Sequence, residues 1–262
     1  MQVKLPIGII HEGEVCDLVE LKEPTGGMLR KVRDNLISGK KREMYIGLLS
    51  DCVTEIVGIG TPTKQILLDM YNIDVEFIFF SIAQLDAGEK GPEVQHVCPK
   101  CGDQRTEEFV FADVVINRFG DEGFESPFNN EERSAPFTLS TPITTLDQEG
   151  TPYSQGKIGL MSYRQYLDLV APEGGGEVKF GTIQAESILK AITELGPDWR
   201  GSATLRDLDK LKASDIKMIE RVYNGTKPGI ADAEKIECDK CRTKFFPNPI
   251  DWVADFFASN AG

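Results

Sequence analysis

The chain has 262 residues, 40% of them hydrophobic and 27% charged, with a net charge of −13. That length and apolar content leave ample core for one large or two small domains and exclude disorder throughout. The acidic balance argues against a nucleic-acid partner, because affinity for a phosphate backbone rests first on Lys and Arg and no basic run offsets the deficit.

In chain order, Leu5 to Ile10 reads as a strand or an exposed arm, and Val15 to Leu21 follows as a second apolar piece. Lys22-Glu23-Pro24-Thr25-Gly26-Gly27 must turn, and a helix is expected from about Met28 to Asn35. Residues 41–57 carry Met44, Ile46, Leu48, Leu49, Cys52, Val53 and Ile56 in a helical pattern, with Cys52 expected as a buried thiol. After Gly58-Ile59-Gly60-Thr61-Pro62, residues 63–85 read as a single core helix, apolar nearly all round at Phe77-Ile78-Phe79-Phe80. Strands are expected over 93–97 and 107–116, on either side of Cys98-Pro99-Lys100-Cys101-Gly102.

Residues 117–156, rich in Pro, Gly, Asn and acids, read as a long exposed linker with one short strand at 137–143. Strand, turn and helix are expected over 157–170, a hinge at Pro172-Glu173-Gly174-Gly175-Gly176, and an amphipathic helix over 182–195. Another helix, over 214–224, has Ser214 as its expected N-cap and Gly225 beyond its end. Short strands at 235–237 and 243–246 flank Cys238-Asp239-Lys240-Cys241, and the tail carries Trp252, Phe256 and Phe257.

The two C-x-x-C knuckles carry the sharpest signal. Neither can close a tetrahedral site alone, but Cys98, Cys101, Cys238 and Cys241 together supply the four sulfurs that structural zinc prefers. The alternative, a redox C-x-x-C pair, calls for a βαβ setting that neither knuckle has. About half the chain separates the knuckles, far more than an ordinary zinc ribbon allows. The expectation is therefore one Zn2+ clamp, either with a large insertion or tying two halves of a chain.

Spacing favours the halves. Leu21 precedes Cys98 by nearly the distance at which Leu160 precedes Cys238, and each half reads strand, turn, helices, strand, C-x-x-C, strand. The expected fold class is α+β, with two pseudo-repeated halves joined at a four-cysteine zinc-ribbon-like site. The division is 1–116, an exposed linker at 117–156, and 157–262. Such an arrangement makes metal-binding energy part of folding energy.

In the order of these pieces the chain resembles the phage T4-type baseplate protein family, which includes baseplate hub assembly proteins of contractile tails. The resemblance runs through the turn at Leu21-Lys22-Glu23-Pro24-Thr25-Gly26, helices at 44–56 and 66–85, the Cys98–Gly102 knuckle, a helix at 211–223 and the second knuckle. It departs at Asp239 and Arg242, where the first knuckle has Pro and Gly, and in the long linker. The resemblance implies a structural or assembly role in the hub and no catalytic activity. The implied partners are phage tail proteins: hub, spike, tail tube or tape measure. The implied location is the host cytoplasm during assembly, or the virion baseplate.

Two other functions compete. A zinc-ribbon protein acting on nucleic acid would need a basic, aromatic face. A zinc enzyme would need an open coordination position, often beside His, and the chain has only His11 and His96. No phosphate-cradling P-loop and no His-Glu-x-x-His motif is present. No apolar run reaches about 18 residues and the N-terminus lacks a signal-peptide layout, so a soluble cytoplasmic product with no membrane partner is expected. The arm at 1–15, the linker phenylalanines Phe119, Phe124 and Phe128, and the aromatic tail are the expected partner-binding segments.

Overall fold

A computed structural model describes residues 1–87, 90–98, 100–143, 152–172, 180–195, 209–231 and 236–245. The chain mixes helix and strand and forms two compact units. One takes Met1–Arg118 with the described part of Pro228–Gly262; the other takes Phe119–Lys227. These bounds differ from the division at 116 and 156 read from the sequence. The reason is that Gly229–Ile230 pairs with Ile116–Asn117, and the second knuckle clusters with the first.

In the first unit, β1 (Gln2–His11) and β2 (Glu14–Leu21) form an antiparallel hairpin. Its two-residue turn, Glu12-Gly13, has both φ angles positive, at 51° and 88°, the conformation that matches strand twist in tight hairpins. The N-terminal stretch is thus no exposed arm, because Leu5 and Ile7 are buried in the core. Thr25 caps α1 (Gly26–Ile37), accepting from the Met28 N–H at 3.4 Å. After α2 (Lys41–Cys52) the chain passes without a loop into β3 (Val53–Ile56), which pairs with β2. The expected helix over 41–57 therefore stops at Cys52. Val53, Thr54 and Ile56 are β-branched, and the strand places Val53 and Ile56 in the core.

The single helix expected over 63–85 is two. Thr63 caps α3 (Lys64–Asp69), and α4 covers Asn72–Ala87. Met70 breaks the run with an extended ψ of 152°. The break brings Asp74, in the first turn of α4, against β1, where its carboxylate accepts from the N–H groups of Ile7 at 2.8 Å and Gly8 at 3.0 Å. As expected, α4 forms the core, burying Val75, Phe77, Ile78, Phe79, Phe80, Ile82 and Ala83. Two ribbons carry the knuckles. One is β4 (Lys90–Val97) with β5 (Gln104–Val110); the other is β11 (Ile236–Glu237) with β12 (Lys244–Phe245). The strand expected over 107–116 ends at Val110, and a 3-10 turn at Phe111–Asp113 leads to β6 (Ile116–Asn117), which pairs with β10 (Gly229–Ile230).

The second unit holds a sheet in the order β7 (Ser134–Ile143), β8 (Tyr153–Gly159), β9 (Ile192–Leu195). Ser162 caps α5 (Tyr163–Val170), with Gln165 returning a bond to the cap in a reciprocal box. α6 (Phe180–Ala191) runs directly into β9, so the helix expected over 182–195 also ends early. α7 (Ala213–Tyr223) starts from Lys212, which makes no side-chain cap bond, so Ser214 is not its N-cap. The buried Asp215, in its first turn, accepts from the Ser140 N–H at 2.9 Å and its hydroxyl at 3.0 Å. The linker read over 117–156 is in its described part far from loose: Phe128, Ala135, Phe137, Leu139 and Ile143 are buried, and Arg133 stacks on Phe119 at 4.8 Å. The glycines at 174–176 and the tail beyond 245 lie outside the described residues. Among the described residues no helix is long and apolar enough to cross a membrane.

Candidate metal centre

Each knuckle sits at the end of a ribbon, closed by the strand pair next to it: Val97 opposite Gln104 in one, Glu237 opposite Lys244 in the other. The turns are built alike. In the first, the Cys98 N–H donates to the Asp103 carbonyl at 2.8 Å and the Gly102 N–H donates to the Cys98 carbonyl at 2.9 Å. In the second, Cys238 donates to Thr243 at 3.0 Å and Arg242 to Cys238 at 2.8 Å. The residue after the second cysteine is left-handed in both, Gly102 at φ 70° and Arg242 at φ 57°. Glycine takes that conformation freely, whereas arginine bears a steric cost there.

The two turns face each other. Cys98 Sγ lies 3.6 Å from Cys241 Sγ, and Cys101 Sγ lies 3.6 Å from Cys238 Sγ. All four sulfurs fall within 4.8 Å of one another. A tetrahedral ion with metal–sulfur bonds of about 2.3 Å needs sulfurs about 3.8 Å apart, so the cluster is of the size that one ion fills. The first cysteine of each turn, Cys98 or Cys238, is buried, while Cys101 is exposed and Cys241 half-buried. All four cysteines singled out in the sequence are thus brought together, and they could hold a metal.

Electrostatics set two of the four thiols apart. Hydrogen bonding to the Thr243 hydroxyl, 3.2 Å from its sulfur, brings the Cys241 thiol down to about 6. The backbone bond from Asp103 favours the Cys101 thiolate, but burial and the three neighbouring sulfurs outweigh it and push that thiol up to about 12. Four sulfurs this close cannot all ionise without a cation among them, because like charges at contact oppose one another. Thr243 was not singled out in the sequence, although a hydroxyl two residues past a ligand cysteine is a readable signal.

The other two cysteines lie elsewhere. Cys16 in β2 and Cys52 at the end of α2 are both buried. Burial pushes the Cys52 thiol up to about 12, which leaves it a neutral core group as expected. Sequence reasoning also missed the two buried carboxylates, Asp74 and Asp215. Each is an acid in the first turn of a helix directly before an apolar residue, Asp74-Val75 and Asp215-Ile216, and that pattern could have marked them.

Comparison with known proteins gives no match: no family model, no curated protein and no solved structure is similar to this chain.

Proposed function

We propose that this chain is a non-catalytic structural or assembly protein of a phage contractile-tail baseplate hub, built from two pseudo-repeated halves and tied by one structural zinc. The observation that carries the structural role is the closed set of four thiols. Soft sulfur donors in a tetrahedral set favour zinc, and four of them leave no open position for a substrate or an activated water. The hub assignment rests on the sequence resemblance set out above.

The repeat is supported by strand register as well as by order. In the first hairpin the pairing jumps from Lys4 opposite Leu18 to Ile9 opposite Cys16; in the second it jumps from Thr138 opposite Gln155 to Ile143 opposite Tyr153. The same number of residues is taken up on each side of both irregularities. The third strand of each sheet also pairs with a matching shift, between Glu20 and Leu21 in one and between Lys157 and Ile158 in the other. Thr25 and Ser162 cap the helix that follows the second strand. Asp74 and Asp215 each reach from the first turn of a helix to the irregular stretch of the first strand. Two halves of like design, each with half a metal site, suit a rigid scaffold better than a catalyst.

The test is recovery of partners. Tagged full-length protein drawn from infected cells is expected to bring down hub, spike, tail-tube or tape-measure proteins. Recovery of nucleic acid that survives a high-salt wash, with no tail protein, would overturn the assignment.

A further inference from the structure

The geometry points to the metal clamp as an oxidation site that converts into two disulfides between the knuckles, Cys98 to Cys241 and Cys101 to Cys238. The inference rests on the single-metal reading above and adds what happens to the junction when an oxidant removes the metal.

Three observations carry it. The sulfur contacts of 3.6 Å join the first cysteine of one turn to the second cysteine of the other, and they do so twice. Oxidation along both contacts consumes all four thiols and leaves none over. Second, access is uneven. Cys101 is exposed, while its neighbour Cys238 is buried, so reagent meets one sulfur and the resolving sulfur stands protected beside it. An accessible sulfur beside a protected resolving cysteine is the arrangement that redox-sensitive sites share. Third, both turns are held by backbone hydrogen bonds that do not involve the sulfurs, Cys98 to Asp103 and Gly102 to Cys98 in one, Cys238 to Thr243 and Arg242 to Cys238 in the other. Those bonds keep the shape of each turn, and with it the presentation of its two sulfurs, as the metal leaves.

The oxidant is a peroxide. The Cys101 thiol gives up its proton as its sulfur attacks one peroxide oxygen; the O–O bond breaks, a sulfenic acid forms, and the departing hydroxide takes up a proton and leaves as water. The Cys238 sulfur, losing its proton, then attacks the sulfenic sulfur. The S–S bond forms, the S–O bond breaks, and the second hydroxide leaves as water after protonation. Two electrons pass from the sulfur pair to one peroxide. A second peroxide does the same at Cys98 and Cys241, and the ion, which has no redox chemistry, is released unchanged. The ribbons stay joined, now covalently. Loss of the metal to a chelator would form no such covalent bond.

The sequence makes the linkage readable. Lys100 lies between Cys98 and Cys101, and Lys240 lies between Cys238 and Cys241. Digestion after lysine therefore puts all four cysteines on different peptides. Full-length protein is treated with graded hydrogen peroxide, its remaining thiols are blocked, and it is digested without reduction for mass spectrometry. Released metal is followed in parallel with a chromophoric chelator. The expected result is cross-linked peptides pairing Cys98 with Cys241 and Cys101 with Cys238, rising together with metal release. Disulfides within each turn, Cys98 to Cys101 and Cys238 to Cys241, would overturn the inference. So would conversion of the four thiols to sulfinic acids without cross-links. The peptide map reads this inference whether or not metal is found, whereas metal content alone reads the proposed function.

Discussion

At the scale of single residues, the four clustered cysteines separate cleanly from Cys16 and Cys52, which lie outside the cluster. Cys101→Ser and Cys238→Ser each remove a sulfur from the cluster and are expected to lose the metal and lower the melting temperature, because structural-metal binding energy is folding energy. Cys16→Ser and Cys52→Ser place a hydroxyl in the core and cost about 1–2 kcal/mol, but metal content per chain stays at the wild-type value. Loss of metal in Cys52→Ser with retention in Cys238→Ser would refute the ligand set. Arg242 is the imperfect member of the pair of turns, left-handed where the other turn has glycine. Arg242→Gly is expected to stabilise the protein by about 0.5–1 kcal/mol in denaturant unfolding, since relief of the left-handed strain exceeds the extra entropy of an unfolded glycine. The Arg242–Glu237 pair that it removes is largely exposed at 3.2 Å and adds little.

Asp215 gives a pH prediction at the same scale. Hydrogen bonds from the Ser140 backbone hold its carboxyl below the usual range, with the Ser140 hydroxyl and the Thr141 backbone assisting. A depressed folded value means that the ionised group stabilises the fold above the unfolded value near 4. That contribution is lost as pH falls through the folded value. The melting temperature of the wild type is thus expected to fall below about pH 4, with a shallower acid slope in Asp215→Asn. An unchanged slope in the variant would show that other carboxylates govern the acid limb.

At the scale of elements, much of the pattern was legible and the errors share one cause. The helices expected over 41–57 and 182–195 end at 52 and 191, because Val53 and Ile56, like Ile192 and Leu195, stand at i and i+3 and so keep a helical spacing into the strand. Only pairing with β2 and β8 turns those residues into strands, and a neighbour on another element leaves no local mark. The same holds for the break at Met70, where no proline or glycine announces the turn and the buried Asp74 reaching β1 accounts for it. The N-terminal segment was read as an arm because its hairpin partner supplies its burial. Its glycine is the test. Gly8 has φ 81°, and a Cβ there would lie 2.9 Å from both Asp17 Cβ and Val15 Cγ1. Gly8→Ala is expected to cost more than about 1 kcal/mol in denaturant unfolding, with loss of amide protection along β1 and β2. A neutral substitution would mean that the β1 irregularity relaxes easily.

At the scale of the whole molecule, the candidate site was legible because cysteine spacing is a chemical signal that survives without knowledge of the fold. What the sequence could not supply was the course of the boundary, which places the second ribbon in the same unit as the first and leaves Phe119–Lys227 as the other. The proposed structural role and the proposed oxidation chemistry both rest on one ion held by both knuckles. That shared ion is tested most directly by elemental analysis of the purified full-length protein together with X-ray absorption at the zinc edge. About one zinc per chain with four sulfur neighbours at about 2.3 Å is expected. Two zinc ions per chain, or a shell with nitrogen or oxygen in place of sulfur, would contradict it.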